Sequence, residues 1–407
     1  HGSDAAAEAQ ATARALSAEP FDLLASPPLR VAQLRVADEQ EWLSITVHHI
    51  VSDGWSMNVV IDEFCRLYEG FIADRPVDLT PLAIRYADYA SWHADRLTAG
   101  ERDRQLAYWK DRLGDESLVL ELPSDRPRPA GQSHRGGAVP FMLDGALATR
   151  LREIALAAQT TMFAVLLAGF QTLLYRYTGQ RDVRVGVPVA NRGRVETEGV
   201  VGCFVNTLVV RTDVDGSMPW DALLRRLHET VLESQQYQDL PFEQLVEALQ
   251  PERSLAHNPL FQVKFNLALP IAVPKQLAGH AVTAEQMEGD VTRFDIALDL
   301  VESEDGIAGR FGYATDLFDP DTIERMQQHY VGILEQIAST PTLRVGELAL
   351  GNEDGRLVGE VLESAAVDVL TAWRRSVVAD PSAVALRYEE QTLTRGEADR
   401  LANGIAA

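Results

Sequence analysis

Around position 50, the order of apolar and polar residues predicts a strand followed by a helix. Residues 43–49 alternate between two faces, with Leu43, Ile45 and Val47 on one of them, which is the two-residue period of a half-buried strand. Ser52-Asp53-Gly54 interrupts this alternation, and the apolar residues from Met57 to Phe71 recur at helical spacing. Ser52 or Asp53 can cap the helix with a side-chain oxygen. We therefore expect a strand, a tight turn and a helix in that order.

The same patterns predict further elements along the chain. Helical periodicity covers about 86–113, 143–158 and 161–177, and Gly179 is suited to end the third of these helices. Alternating strands are expected at 183–189, 206–214 and 261–269, and helices are expected to begin near Pro219 and Pro320. This irregular mixture favours an α/β or layered α+β fold over a solenoid.

Two breaks in the pattern suggest the domain organisation. Residues 123–129 contain three prolines and can continue neither a helix nor a central strand. We place a boundary there, between lobes at 4–125 and 126–350. A polar, glycine-containing break follows, so residues 351–364 are expected to be a linker. Residues 365–407 are too few to bury a core of their own.

Composition and charge exclude several kinds of partner. The chain has 37 Lys and Arg against 60 Asp and Glu, a formal net charge of −23. Such a surface repels phosphate backbones and anionic lipid, so neither nucleic acid nor a membrane is expected as a partner. No apolar run reaches about 18 residues, and no signal pattern opens the sequence. The two cysteines are Cys65, which falls in an apolar helical pattern typical of a core, and Cys203, so a reducing, cytoplasmic setting is expected.

The turn after the first predicted strand holds the residues best suited to chemistry. His48 and His49 end the strand, Asp53 follows, and Gly54 turns the chain into the helix. Adjacent strand residues point to opposite faces, so one histidine can face a cavity while the other packs or hydrogen-bonds. A carboxylate across the turn can hold the loop or pair with a cation, and glycine lets backbone or substrate approach closely.

Two other interpretations fit these residues. The histidines could be solvated loop residues, or they could bind a metal together with Asp53. The metal interpretation is the weaker one, because adjacent strand histidines diverge and no third ligand of the Cys or His type lies nearby. We therefore expect no metal.

The motif also resembles a known signature. His48-His49, three further residues and Asp53-Gly54 are similar to the HHxxxDG signature of the condensation domains of nonribosomal peptide synthetases, which belong to the chloramphenicol-acetyltransferase-like superfamily. Further blocks follow the order of that family: residues 21–23 with 28–30, residues 86–92 (YxDYAxW), Arg192 with residues 201–207 (GxFVNT), residues 237–243 (HQDxPFE, with Tyr237 in place of the usual His) and residues 253–260 (RxxSxNPL in part).

The resemblance implies a fold and a reaction. The fold would be two chloramphenicol-acetyltransferase-like lobes in a V-shaped pseudo-dimer, with the active site in a tunnel between them. The family's two earliest motifs should precede residue 20 and are absent, so the N-terminal lobe is expected to be incomplete. The implied reaction is attack by the α-amine of a carrier-bound aminoacyl acceptor on a carrier-bound acyl or peptidyl thioester.

The resemblance also assigns roles to individual residues. His49 would be the catalytic residue, acting either as a general base or by positioning the amine. Asp53 would orient the loop and pair with Arg192 across the two lobes. The remaining assignments are a structural role for His48, an open tunnel at Gly54, and a substrate channel lined by Trp55, Ser56 and Asn266.

The implied partners are other domains. No cofactor would be bound covalently to this chain, because 4′-phosphopantetheine arms would arrive on an upstream donor carrier domain and a downstream acceptor carrier domain. Residues 370–407, which include Leu393-Thr394, resemble the opening of an adenylation domain, so an adjoining adenylation domain is a further expected partner.

Related activities remain as alternatives. Trp55 directly after Asp53-Gly54 argues against an epimerisation domain, and the paired histidines argue against a heterocyclisation domain, in which aspartates replace them. A non-catalytic or truncated recruitment platform of the same fold would be expected to carry a damaged signature, whereas this one is intact. An acyltransferase that uses a soluble donor is the other alternative.

Overall fold

A six-stranded mixed sheet organises the chain between residues 136 and 314. The computed structural model describes residues 2–37, 40–114, 119–249, 254–284, 291–303, 305–351, 369–388 and 391–406. The chain divides into two compact units, residues 1–351 and 352–407. The predicted linker at 351–364 lies outside the described residues except for Gly351, and Arg253 of the RxxSxNPL-like block lies outside them as well.

The first unit contains both helices and strands. Its helices are α1 (Gly2–Ala18), α2 (Gly54–Ile72), α3 (Tyr86–Arg96), α4 (Arg102–Leu113), α5 (Gly145–Ala157), α6 (Met162–Thr178), α7 (Trp220–Gln235), α8 (Phe242–Leu249) and α9 (Pro320–Ser339). Its strands are β1 (Leu29–Ala37), β2 (Gln40–Val47), β3 (Gly136–Asp144), β4 (Asp182–Val189), β5 (Asn206–Asp213), β6 (Val263–Ala268), β7 (Gln276–Leu277), β8 (His280–Ala281), β9 (Ile296–Ser303) and β10 (Gly306–Ala314).

The main sheet has the strand order β3-β10-β9-β6-β4-β5. Strand β6 runs parallel to β4 and β9, and the other neighbouring pairs are antiparallel. The apolar helix α6 and the buried face of α9 pack together, and both contribute to the same hydrophobic core as the sheet. A Cβ on Gly169 of α6 would stand 2.7 Å from Leu334 Cδ2 of α9, so glycine lets the leucine side chain pack directly against the backbone of α6. The mixed α/β class expected from the sequence is confirmed.

The N-terminal part is a β1–β2 hairpin joined to α1 and α2. The apolar stripe of α2 is more exposed than its helical pattern suggested, and Phe71 retains 84% of its accessible surface. Cys65, which was expected in the core, is only half-buried, because the apolar stripe of α2 to which it belongs is not covered by a core formed by the described residues. Cys65 and Cys203 are both free thiols.

Three element boundaries differ from the sequence patterns. The helical stretch expected at 86–113 is divided by a π-helical turn at Leu97–Glu101, where Gly100 takes a left-handed backbone (φ 105°). Leu143 belongs to β3, and α5 begins after Asp144, whose carboxylate accepts from Leu147 N. Strand β2 ends at Val47: His48 N still donates to Pro28 O at 2.9 Å, but Pro28 has no N–H to donate in return, so the ladder stops there.

The second unit contains α10 (Val369–Ala379), β11 (Val384–Tyr388), β12 (Gln391–Thr394) and α11 (Arg395–Ala406), with β11 and β12 antiparallel. None of its side chains whose burial is described is fully buried. That agrees with the expectation that this segment has no core of its own.

No single helix among the described residues is long and apolar enough to cross a membrane. Helices α5 and α6 meet the length and composition test only as a pair, and the chain bends by 105° between them. Helix α6 is buried within the core of the first unit.

Candidate active site

The two adjacent histidines lie just beyond the end of β2. His48 caps a short 3-10 turn formed by His49–Val51, and its Nδ1 accepts from Ile50 N at 3.1 Å. Its ring also meets the ring of Phe21 edge to face, with centroids 5.9 Å apart. The expectation that strand pleating separates the two histidines is therefore wrong, since the turn separates them instead. His48 has structural partners, whereas His49 is exposed.

Asp53 is the N-cap of α2, one of the two residues proposed for that position. Its Oδ1 accepts from Ser56 N at 2.8 Å, and its Oδ2 accepts from Phe204 N at 3.0 Å. One carboxylate therefore satisfies a free N–H at the helix start and also holds a backbone segment about 150 residues away in the sequence. The side chain retains 4% of its accessible surface.

Arg192 completes this contact from the second half of the first unit. Its guanidinium lies 3.2 Å from Asp53 Oδ1 and donates to Ser56 Oγ and to the carbonyl oxygens of Thr197 and Val200. The guanidinium carbon also stands 4.0 Å from the centroid of the Phe204 ring. The expected ion pair between Asp53 and Arg192 is present, and both partners are buried.

The environment keeps this pair charged. Burial by itself raises the pKa of Asp53, but hydrogen bonds from Ser56 and Phe204 and the charge of Arg192 together hold that pKa below its usual range. Burial lowers the pKa of Arg192, and the carboxylate of Asp53 opposes that effect. An arginine begins from so high a value that it remains protonated. The pair therefore acts as a fixed ionic connection at neutral pH.

Trp55 and Ser56 support the same connection. Trp55 Nε1 donates to the carbonyl oxygen of Glu198 at 2.9 Å, and its ring lies beside Arg192. Ser56 is completely buried, and its hydroxyl donates to Gly202 O at 2.8 Å and accepts from Gly202 N at 3.1 Å. Ser56 thus joins two segments in the interior, which differs from the channel-lining role suggested for it.

The segment Gly202-Cys203-Phe204 passes next to His49. Cys203 Sγ lies 3.7 Å from His49 Nδ1. Tyr86 donates its hydroxyl to Cys203 O at 2.7 Å, and the ring of Tyr89 packs 4.6 Å from that of Phe204. Sequence reasoning named neither Cys203 nor Tyr86 as a site residue. The sequence feature that could have pointed to Cys203 and Tyr86 was their position in the GxFVNT and YxDYAxW blocks, which the fold brings into contact.

The GxFVNT block also holds the loop that follows α7. Asn206 Nδ2 donates to Gln238 O and Leu240 O, both at 2.7 Å, and its Oδ1 accepts from Phe242 N at 3.0 Å. Two hydrogen-bonding groups of one amide therefore fix the QDLPFE loop beside β5.

Gly54 and Asn266 have different surroundings. Apart from its chain neighbours and the backbone of its own helix, no atom of the described residues would lie within 4 Å of a Cβ on Gly54, so the space next to the first residue of α2 is open. Asn266 lies on β6 and donates to Asp299 Oδ1 at 3.3 Å, and the same oxygen pairs with Lys264. The described contacts of Asn266 tie it to the sheet, not to His49. No three His, Cys, Asp or Glu side chains of the described residues are grouped so that they could hold a metal ion.

Comparison with known proteins gives a consistent result. The family model for the condensation domain matches residues 1–356. The chain is similar to a linear gramicidin synthase of Brevibacillus parabrevis, with 40% identity over 427 residues that span 98% of this chain. The aligned region is 5% of that synthase polypeptide, so the chain corresponds to a small part of this relative.

Solved structures share the fold. The complex of the X-domain and OxyB from teicoplanin biosynthesis matches at a TM-score of 0.74 and 31% identity, over 85% of this chain and 78% of that one. A four-domain nonribosomal peptide synthetase bound to AMP and glycine matches at a TM-score of 0.74 and 25% identity, over 98% of this chain and 32% of that one.

Proposed function

The chain belongs to the condensation-domain family, and we propose that it forms an amide bond between two carrier-bound acyl groups. The α-amine of a carrier-bound aminoacyl acceptor attacks the thioester of a carrier-bound acyl or peptidyl donor; the C–S bond breaks, the donor carrier's arm leaves as a free thiol, and the acyl group passes to the acceptor. The observation that carries this proposal is the exposed His49 in a turn held by the buried Asp53–Arg192 pair. A reacting group needs access to substrate, and the pair supplies a fixed support.

The reaction needs little proton transfer from the protein before the amine attacks. A free α-amine has an ordinary pKa of about 7.7–8.0, so roughly a tenth of it is neutral at pH 7. After attack the nitrogen is positively charged and loses its proton readily, and an imidazole can accept that proton. Alternatively, His49 positions the amine by a hydrogen bond. Both roles require the same exposed imidazole at the same place.

Both substrates would arrive on 4′-phosphopantetheine arms of separate carrier domains. Such an arm is thin enough to enter a tunnel from which the carrier itself is excluded, and the open space beside Gly54 is suited to one of them. The relatives are large synthetases, which supports carrier and adenylation domains as neighbours. We propose that residues 370–407 are the opening of that adenylation domain.

The test is amide formation by the wild-type protein and a His49→Ala variant, each supplied with two loaded carriers, with the product on the acceptor carrier detected by mass spectrometry. General acid–base catalysis contributes about 10²–10⁴-fold, so the variant should lose activity on that scale while unfolding at the wild-type temperature. His280→Ala, at an exposed histidine on β8, is the matched control and should remain active. Wild-type turnover by His49→Ala would refute the proposed role.

A second function has one observation in its favour. The 31% identity to the X-domain, which was solved in a complex with OxyB, favours the alternative of a recruitment domain that binds another protein. The same assay separates the two proposals. A recruitment domain would leave both loaded carriers unreacted, and its affinity for the recruited protein would not change with His49→Ala.

A further inference from the structure

The residue that faces the imidazole of His49 from the second half of the unit is Cys203. The sulfur lies 3.7 Å from Nδ1, within the range of a hydrogen bond to sulfur. In a neutral imidazole one ring nitrogen carries the proton and the other accepts, so whatever contacts Nδ1 influences which of the two it is. The contact therefore concerns the chemistry of His49 directly.

The backbone around Cys203 is fixed on both sides. Ser56 exchanges two hydrogen bonds with Gly202, Asp53 accepts from Phe204 N at 3.0 Å, and Tyr86 donates to Cys203 O at 2.7 Å. A Cβ on Gly202 would stand 2.1 Å from Tyr86 Cδ2, so that ring packs directly against the backbone. These contacts hold the sulfur beside the histidine without help from its own side chain.

The surroundings also determine the protonation state of the thiol. Burial raises the pKa of Cys203, and the nearby carboxylates of Asp53 and Glu243 raise it further. At neutral pH the group is therefore a thiol, which has one S–H to donate. Among the described residues, the polar partner recorded for its sulfur is His49 Nδ1.

We infer that Cys203 is a positioning residue whose thiol donates to Nδ1 of His49 and so places the proton of the neutral imidazole on Nε2. The ring then presents Nε2–H towards a substrate as a donor, and its lone pair is occupied at Nδ1. A ring in this state cannot take the proton of the attacking amine at Nε2, so the inference favours His49 as a group that orients the carbonyl oxygen of the donor thioester by a hydrogen bond. The kinetic part of the inference rests on the proposed function, but the tautomer does not.

The direct test is long-range ¹H–¹⁵N NMR of the protein labelled with ¹⁵N-histidine, with the His49 signals assigned from a His49→Gln variant. In the wild-type protein, Nδ1 should have the shift of an unprotonated ring nitrogen and Nε2 that of a protonated one. Cys203→Ala should move protonation towards Nδ1. Cys203→Ser, which keeps a donor, should retain the wild-type tautomer. Cys65→Ala removes the other free thiol and should change nothing.

Kinetics gives a second reading with loaded carriers. Cys203→Ala should lower kcat about two- to tenfold, the loss expected for one neutral hydrogen bond, with little change in KM. Its pH–rate profile should also shift, whereas that of Cys203→Ser should remain. The ionisable side chains of Asp53, Glu243, Tyr86 and His48 lie near this contact and are the same in every variant, so a difference between variants is assigned to position 203.

Two results would overturn the inference. One is a wild-type Nδ1 that carries the proton, which would make the sulfur an acceptor. The other is a folded Cys203→Ala protein with the wild-type tautomer and pH profile. If the wild-type protein forms no amide at all, the proposed function fails, while the NMR measurement still decides the role of Cys203. Because the wild-type spectrum alone is informative, a poorly folded variant does not remove the test.

Discussion

Replacing Asp53 by alanine should destabilise the first unit by about 3–5 kcal/mol, since it leaves a buried arginine without its counter-charge. Arg192 retains 1% of its side-chain surface and cannot turn to water without rearrangement. The substitution also removes the acceptor for Ser56 N and for Phe204 N. Folded proteins are stable by only about 5–15 kcal/mol, so this loss should be conspicuous.

The matched control is Asp144→Ala. Asp144 caps α5 by accepting from Leu147 N at 2.7 Å, but it is exposed and no ion pair is recorded for it among the described residues. Loss of such a cap costs about 1 kcal/mol. The excess of Asp53→Ala over Asp144→Ala therefore measures the ion pair and the contact to Phe204.

The assay is urea unfolding of Asp53→Ala, Arg192→Met and the double variant, followed by circular dichroism. Because the two residues touch, the double variant should be less destabilised than the sum of the single variants, by about 1–3 kcal/mol. If Asp53→Ala lowered stability by no more than Asp144→Ala, or if the two substitutions were additive, the reasoning about a buried pair would be refuted.

Two further outcomes are expected. Gly54→Ala should leave stability unchanged or raise it by up to about 1 kcal/mol, because alanine favours a helix and no atom of the described residues beyond its own neighbours obstructs the added Cβ. If substrate uses the space beside Gly54, the same variant should lower kcat/KM for amide formation at least about tenfold. Gly332→Ala, which is equally unobstructed within α9, is the control, and full activity of Gly54→Ala would contradict the expectation. The difference in unfolding free energy between wild type and Asp53→Asn should stay constant from about pH 5 to 8 and shrink only below about pH 4. The pKa of Asp53 is lower in the folded than in the unfolded protein, so the charged carboxylate stabilises the fold above the unfolded pKa of about 3.9, and this stabilisation is lost as the pH falls through the folded pKa. A decrease already near pH 6, measured by urea unfolding, would contradict this.

Much of the fold followed from periodicity where a segment has one consistent environment. The valines of β4 alternate in the sequence as predicted, although both faces of the strand are buried, and α6 is capped by Thr161 and ends at Gly179 in a left-handed conformation (φ 69°). Asp53 was predicted as a cap and as the partner of Arg192, and both contacts are present. Local chemistry dictates the cap, while the ion pair came from the resemblance to a family.

The remaining details depend on partners that are distant in the sequence. Leu143 fits an apolar helical pattern equally well, but pairing with Ile307 places it in a strand. The end of β2 is set by Pro28, a residue of the opposite strand. The contact between Cys203 and His49 needs two segments that no local pattern connects. Such features arise from tertiary pairing, which overrides local preference.

The hydrogen bonds and contacts that link His49, Asp53 and Ser56 to residues 192–204 join residues that are 136–154 positions apart in the chain. Closing a loop of that length costs about 4 kcal/mol of chain entropy, and contacts that close the same loop incur the cost together. Once the first contact has formed, the others add little further entropy cost, so the site should assemble as one cooperative unit. During synthesis on a ribosome, His49 would emerge long before its neighbours and stay chemically incomplete until the segment through Phe204 has followed it.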